Sequence, residues 1–320
     1  MKFASLVNNR KALAGLILFA LTVLVAAFPG LFTTDHSPGI IGTYPINLGP
    51  STGHLLGTTS YGQDIYSELI YGARQVLEIA LIAGACATVL SVLIGITAAY
   101  VGGIVDELLS LLTNVVLILP TFPLMIILAK YAGQSNTVMI IVLVVTGWSY
   151  GANQLRAQAL SLRDRDFLEA ARVRGERRLY VILFEMMPTM TSLIVANFLG
   201  SALYSVLASS GLQFIGLGNT SSMSWGTMLY NADQMEALQS GNALWIIAPG
   251  LAIAVLSAAF ALMNYAFDEI GNPALRPVRR KDLRKARKSA RAEFADPANA
   301  ENAENSEKGA GDVEVLADAS

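Results

Sequence analysis

Six long apolar stretches constrain the fold of this chain more than any other feature of its sequence. Each is long enough for the helix of about 20 residues that crosses the hydrocarbon core of a bilayer. We place the predicted transmembrane helices at 12–33, 76–101, 108–130, 137–155, 188–209 and 244–267. Only 14% of the 320 residues are charged, against about 25% in a soluble domain. The sequence therefore predicts an all-α polytopic membrane protein with six transmembrane helices.

The distribution of basic residues predicts how these helices are oriented, because lysine and arginine remain on the cytoplasmic side of short loops. With the N-terminus inside, the outer segments 34–73, 131–136 and 210–243 contain no lysine or arginine. The loop 156–187, by contrast, carries seven arginines. We therefore predict a multi-pass protein of the cytoplasmic (inner or plasma) membrane with both termini in the cytoplasm.

This topology divides the chain into consecutive regions. They are a cytoplasmic N-terminus at 1–11, the first transmembrane helix at 12–33, an extracytoplasmic segment at 34–75, a membrane core at 76–270 with five transmembrane helices and the loop 156–187, and a cytoplasmic tail at 271–320. The end of the tail is acidic and has too few apolar residues to fold, so we predict that it is disordered. Its basic beginning suits anionic lipid headgroups. On a membrane protein we expect no nucleic-acid partner.

Polar residues inside the predicted helices bear on the class of transporter. Asn114, Asn197 and Asn264 are uncharged, and we expect them to form hydrogen bonds between helices. The absence of charge near a midplane argues against a secondary transporter driven by protons. Because His36 and His54 both lie outside the spans, a membrane-embedded enzyme or a metal site is also disfavoured. Small residues in the second span predict close helix packing, namely Gly84, Ala85, Ala87, Ser91 and Gly95.

The arginine-rich loop predicts a compact helical element. Residues 160–173 favour a helix in which Glu169 pairs with Arg165 and Arg172. Gly175 permits a sharp turn into a second short helix, and Pro188 starts the fifth span. Such an element could dock into a groove on a soluble partner. Periodicity alone favours an ordinary charged connector instead.

The residue types in this loop resemble a known signature. Glu169-Ala170-Ala171, Gly175 and then Pro188 are similar to the coupling loop in permeases of ATP-binding-cassette (ABC) importers. The likeness is to the branch that imports dipeptides, oligopeptides and nickel, and it runs from about residue 54 to residue 276. Further matches, in chain order, are His54 to Thr59 with Gly62 to Asp64, Tyr71 to Arg74, Gly102-Gly103 with Asp106-Glu107, Phe214 to Gly218, Ser224 to Gly226, and Asn272-Pro273 with Leu275-Arg276.

The resemblance implies a fold, a mechanism and a set of partners. The fold is that of a type I ABC importer permease, and the chain is not itself an enzyme. No Gly-x-x-x-x-Gly-Lys-Ser/Thr phosphate-binding loop occurs in the sequence, so ATP and Mg are expected on two partner ATPase subunits, with no cofactor on this chain. A second homologous permease and an extracytoplasmic solute-binding protein complete the implied assembly. Glu169, Ala171 and Gly175 are expected to matter for coupling.

Some residues depart from the family's pattern and leave the transported solute open. Glu185 and Met187 stand where the general signature has isoleucine and leucine, and Gln63 stands where many peptide permeases carry arginine. Asp268-Glu269-Ile270 also differs from the commonest ending. Di- or oligopeptides are the first expectation, and oligosaccharides or a metal chelate remain alternatives.

Overall fold

The computed structural model describes residues 10–219 and 221–271, which form mainly helices. They are α1 (Arg10–Ala27), α2 (Ile65–Val101), α3 (Gly103–Ile118), α4 (Thr121–Ala132), α5 (Asn136–Arg163), α6 (Asp166–Val173), α7 (Thr191–Phe214), α8 (Trp225–Gln234) and α9 (Leu244–Gly271). Shorter helical pieces are Pro29–Leu31, Arg178–Tyr180, Val181–Met186 and Met187–Thr189. The predicted N-terminus at 1–11, apart from its last two residues, and the predicted tail at 271–320, apart from its first residue, lie outside this description.

The longest helices match the requirements of a bilayer. Helices α2, α5, α7 and α9 are each long and apolar enough to cross a membrane, and the bent pair α3 and α4 together forms a fifth candidate. Helix α1, with 18 residues, is shorter than these four. The all-helical membrane fold is therefore confirmed for the described residues, whereas the prediction of six spans is not.

The predicted third span at 108–130 is two helices that meet at an angle of 89°. Leu119 adopts an extended conformation (φ −64°, ψ 136°) directly before Pro120. A proline ring disfavours helical geometry in the residue before it and supplies no N–H for the helical ladder. The predicted third span is therefore not one continuous helix, although Pro120 was visible in the sequence.

Helix α2 is longer than predicted, because it begins at Ile65 rather than at residue 76. The Asp64 carboxylate caps its first turn by accepting a hydrogen bond from the Ser67 backbone N–H at 2.8 Å. At 1.5 Å per residue, the 37 residues of α2 extend about 55 Å. Since this exceeds the hydrocarbon core of about 30 Å, one or both ends of α2 project beyond it.

Small residues bring α2 close to α5 and α7, as predicted. A Cβ on Gly84 would lie 3.0 Å from the Ala202 Cα, and a Cβ on Gly95 would overlap the Ala152 carbonyl oxygen. The Ser91 hydroxyl donates to the Trp148 carbonyl of α5 at 2.6 Å. Of the five predicted small residues, Ala85 alone is exposed, because it lies on the opposite face of α2.

The segments that connect the helices lie at the two ends of the bundle. The three segments predicted to be extracytoplasmic, 34–75, 131–136 and 210–243, lie at the same end. At one end, Gln75 Nε2 donates to Asn136 Oδ1 at 3.0 Å and to Ser222 Oγ at 2.8 Å. Asn242 Nδ2 donates to the Thr58 carbonyl at 2.7 Å. Segments predicted to be extracytoplasmic thus contact one another, and the arginine-rich loop lies at the far ends of the helices.

Candidate functional site

The arginine-rich loop is anchored to the bundle by a small apolar cluster. Leu168 and Ala171 on one face of α6 are both 0% exposed. They pack in a cluster with Leu155 of α5, with Tyr100 near the end of α2, and with Val181 of the segment that follows. This contact gives α6 a defined position, because a helix of eight residues is not stable on its own in water.

Gly175 ends α6 in a Schellman motif. The Gly175 N–H donates to the Arg172 carbonyl at 3.0 Å, and the Glu176 N–H donates to the Ala171 carbonyl at 3.2 Å. Both bonds require a left-handed residue at position 175, and Gly175 has a φ of +75°. The sharp turn that the sequence predicted at this glycine is present.

Arg172 ties the loop to α2. Its guanidinium Nη2 donates to the Arg163 carbonyl at 3.0 Å, and its Cζ lies 5.5 Å from the centroid of the Tyr100 ring. The Arg163 guanidinium in turn lies against Gly102, where a Cβ would come within 2.8 Å of Nη1. The turn between α2 and α3 and the base of the loop are thus in direct contact.

Glu169 and Ala170 lie on the opposite face of α6 and are exposed. The expected ion pairs of Glu169 with Arg165 and Arg172 are absent from the part of the chain that the structure describes. The helix predicted over 160–173 is interrupted, because Arg165 is extended (φ −81°, ψ 144°). Its side chain therefore does not follow the helical spacing that would bring it to Glu169.

The second half of the loop presents apolar side chains to its surroundings. Val173 is 84% exposed, Leu179 66% and Phe184 63%, and the ring of Phe184 stacks on that of Tyr180 at 4.9 Å. Pro188 is exposed in the short helix Met187–Thr189, directly before α7 rather than within it. Together with three exposed arginines, these side chains form a basic and apolar surface. We call it the loop surface, and it consists of Glu169, Ala170, Val173, Arg174, Arg177, Arg178, Leu179 and Phe184.

An ion pair that the sequence analysis did not identify holds α3 against α5 near the base of this loop. Arg156 donates from Nε to Asp106 Oδ1 at 2.6 Å and from Nη2 to Oδ2 at 2.7 Å. The Ser110 hydroxyl donates to the same carboxylate at 3.1 Å. This two-pronged geometry is the favourable one for arginine and a carboxylate. The two residues are 50 positions apart, so spacing in the sequence offered no signal for the pair.

Replacing Asp106 with asparagine is expected to lower the melting temperature of the detergent-solubilised chain by about 2–4 °C. The physical reason is the loss of one partly exposed but bidentate ion pair, worth about 1 kcal/mol. Glu107→Gln is the matched control, since Glu107 is the exposed neighbour. Equal melting temperatures for D106N and E107Q would show that the pair does not stabilise the bundle.

The residues that carry the resemblance at the other end of the bundle also have structural roles. His54 Nδ1 lies 2.9 Å from Asp64 Oδ1, beside the carboxylate oxygen that caps α2. Gly57 and Gly62 have φ values of +85° and +70°, and a Cβ on either would overlap a backbone carbonyl, that of Leu48 or Tyr44. This motif therefore builds the cap over the start of α2.

Long apolar helices with a structured, basic loop surface at one end define a multi-pass helical membrane protein. The chain belongs to the family of binding-protein-dependent transport system inner membrane components, whose model matches residues 91–276. It is thus a transport component of the ABC importer permease class, as the resemblance indicated.

Curated relatives and a solved structure agree with this assignment. The chain is 29% identical over 279 residues to the dipeptide transport system permease protein DppC of Alkalihalophilus pseudofirmus, covering 86% of this chain and 89% of that protein. It is 26% identical over 277 residues to the oligopeptide transport system permease protein OppC of Mycobacterium tuberculosis H37Rv, covering 85% and 94%. A chain of the inward-facing MetNI methionine ABC transporter matches with a TM-score of 0.52 and 16% identity, covering 65% of this chain and 97% of that chain. This last similarity concerns the fold alone.

Proposed function

We propose that this chain is a permease subunit that forms half of a translocation path for short peptides. In this proposal two ATPase subunits hold ATP and Mg, and the loop 156–187 docks into a groove on an ATPase subunit. A second homologous permease supplies the other half of the path, and an extracytoplasmic binding protein delivers the solute. The bundle lies in the cytoplasmic membrane as six transmembrane helices, with the residues before α1 and after α9 in the cytoplasm.

The loop surface is the observation that carries this proposal. Exposed leucine, valine and phenylalanine side chains on a polar loop are unusual for a surface that faces only water, and they suit a groove on a soluble partner. The loop is also packed against α2 and α5 through the buried face of α6. A displacement of the docked surface would therefore reach the bundle, as rocking of helices between two openings requires.

The names of the relatives support peptides as the solute. The proteins named above as dipeptide and oligopeptide permeases match over at least 85% of this chain. At 26–29% identity the solute remains part of the proposal. Oligosaccharides or a metal chelate would require the same machinery with a different binding protein.

A co-purification experiment tests the assembly. The tagged chain, extracted from its native membrane in mild detergent, is expected to recover two ATPase subunits and a second permease. MgATP hydrolysis by this complex should rise when the loaded binding protein is added, and the ligand of that protein identifies the solute. Recovery of a homo-oligomer without any ATPase would contradict the proposal and favour a secondary transporter.

Gly175→Val is expected to reduce ATP-driven uptake about tenfold while leaving the membrane bundle folded. A β-branched residue at φ +75° is strained by about 1–2 kcal/mol, which would shift the turn between α6 and the rest of the loop surface. Gly175→Asn is the control, because asparagine tolerates this conformation. A Cβ at position 175 meets nothing within 4 Å, so strain and not crowding separates the two variants. Equal uptake by G175V and G175N would show that the turn at Gly175 has no role in coupling.

A further inference from the structure

A cavity of about 410 Å³ lies within the bundle between α5, α7, α9 and the break that separates α3 from α4. Its wall combines hydroxyl and amide side chains with small residues, and among the described residues that line it there is no lysine or arginine. The polar side chains that bear on the argument are Thr146, Asn197, Ser201, Tyr204, Asn264 and Asp268. A polar cavity between candidate membrane spans is notable, because polar and ionisable side chains within such spans are rare and usually functional.

Among these polar side chains, Asn197 has a buried oxygen without a hydrogen-bond partner in the described part of the chain. The residue is 7% exposed, and the unpaired oxygen is its Oδ1. The amide fits between α5 and α7 only because Gly151 carries no Cβ, since an added Cβ would overlap it. An amide oxygen that has lost water and gained no donor is unfavourable, so a turn of this amide that presents Oδ1 to a donor in the cavity is favoured.

The neighbouring polar groups are held in place by the bundle. The Tyr204 hydroxyl lies 3.3 Å from Thr146 Oγ1 and 3.6 Å from Met125 Sδ. Asn264 Nδ2 donates to the Ala196 carbonyl at 3.0 Å, which fixes its amide at the cavity wall. The interhelical hydrogen bond predicted for Asn264 is therefore confirmed, whereas Asn197 Oδ1 has no partner among the described residues. These groups are thus oriented before any solute arrives, which lowers the entropy cost of binding.

The charge of the wall narrows the class of solute. Asp268, near the end of α9, is the one acidic side chain among the lining residues. A carboxylate without a nearby lysine or arginine in the wall attracts a cationic group and repels an anionic one. Small solutes with several N–H donors and no excess negative charge suit both this carboxylate and the unpaired amide oxygen of Asn197.

We propose that this cavity is a transit site for short peptides, in which Asn197 accepts a hydrogen bond from a peptide N–H and Asp268 favours the N-terminal ammonium group. The inference rests on the proposed function and specifies how this chain would contact the solute. It concerns binding during passage, and selection by the binding protein is a separate step.

Uptake by the complete transporter tests the inference. Proteoliposomes that contain the full complex, MgATP and the binding protein would be given radiolabelled dialanine or radiolabelled maltotriose, a hydroxyl-rich solute without N–H groups. We expect Asn197→Leu, which keeps the branched shape and the number of heavy atoms but removes the acceptor, to lower dialanine uptake about tenfold, the effect of one hydrogen bond. Asn114→Leu is the matched control, because Asn114 is exposed on α3 and does not line the cavity. Its uptake should remain within about twofold of the unmodified transporter.

The outcomes separate this inference from the proposed function. Unchanged dialanine uptake by N197L would overturn the inference but would not contradict the proposed importer function. ATP-driven uptake of maltotriose but not dialanine by the unmodified complex would overturn the peptide class alone, both here and in the proposed function. A complex without ATP-driven uptake of either probe would overturn both proposals.

A labelling experiment keeps the inference testable if N197L does not fold. Ser201→Cys introduces a thiol into the cavity wall of a chain whose own Cys86 has been replaced by serine. We expect dialanine to slow the reaction of this thiol with a small maleimide at least about threefold, because the solute occupies the same space. Asn114→Cys in the same background should react at the same rate with and without dialanine. Equal rates at Ser201→Cys with and without dialanine would overturn the inference.

Discussion

Gly95→Ala is expected to destabilise the helix bundle by about 3 kcal/mol, the upper range for overpacking, although it adds a single methyl group. The Cβ would overlap the Ala152 carbonyl oxygen and lie 3.1 Å from its carbonyl carbon. Since the obstacle is backbone, no rotamer change relieves it, and α2 and α5 must separate. The loss should be visible as a lower melting temperature and a smaller monodisperse fraction when the detergent-solubilised chain is examined by size-exclusion chromatography.

The same substitution elsewhere provides the control. Gly250 lies within α9, and a Cβ there meets nothing within 4 Å. Gly250→Ala should therefore be neutral or slightly stabilising, because alanine favours a helix more than glycine does. A melting temperature for G95A that matches that of G250A would refute the close contact between α2 and α5.

Leu168→Ala is expected to detach the arginine-rich loop from the bundle without unfolding the bundle itself. Leu168 is 0% exposed, and truncating a buried leucine to alanine typically costs about 2–5 kcal/mol. The substitution therefore destabilises α6, a short helix whose local stability is small compared with that of the long helices. Hydrogen exchange measured by mass spectrometry should show faster exchange across α6, with unchanged protection in α2 and α5. ATP-driven uptake should fall at least tenfold.

Leu179→Ala separates anchoring from docking. It makes the same chemical change at a side chain that is 66% exposed, so exchange across α6 should not change. If Leu179 contacts an ATPase subunit, as proposed, L179A weakens recovery of that subunit during purification. Faster exchange across α6 in L179A, or unchanged exchange in L168A, would contradict the assigned division between buried and exposed faces.

The features that the sequence predicted best are those that depend on the local chemistry of neighbouring residues. Apolar stretches of sufficient length identified most of the helices, because burial of the backbone in lipid permits few other structures. The turn at Gly175 was also predictable, since the left-handed conformation that closes the helix there favours glycine. Similarly, Gly84 and Gly95 indicated close helix contacts that the structure contains.

Features that depend on tertiary contacts were beyond the sequence. The break at Leu119 and Pro120 was not predicted, because isolated prolines within apolar stretches are also tolerated in continuous membrane helices. The ion pairs assigned to Glu169 failed because they assumed an unbroken helix through Arg165. The pair of Asp106 with Arg156, and the cavity that brings Asn197 and Asp268 into one wall, join residues too distant in sequence for periodicity to relate them.

The length of α2 has a mechanical consequence. The tight contact at Gly84 holds the middle of a rod whose one end is capped by Asp64 and whose other end meets Arg172 through Tyr100. Such a rod would act as a lever with its fulcrum near Gly84. For a helix of about 55 Å pivoting near its centre, a tilt of roughly 5° moves each tip by about 2 Å. A small displacement of the loop end of α2 would therefore move the opposite end of the helix by a similar distance in the opposite direction.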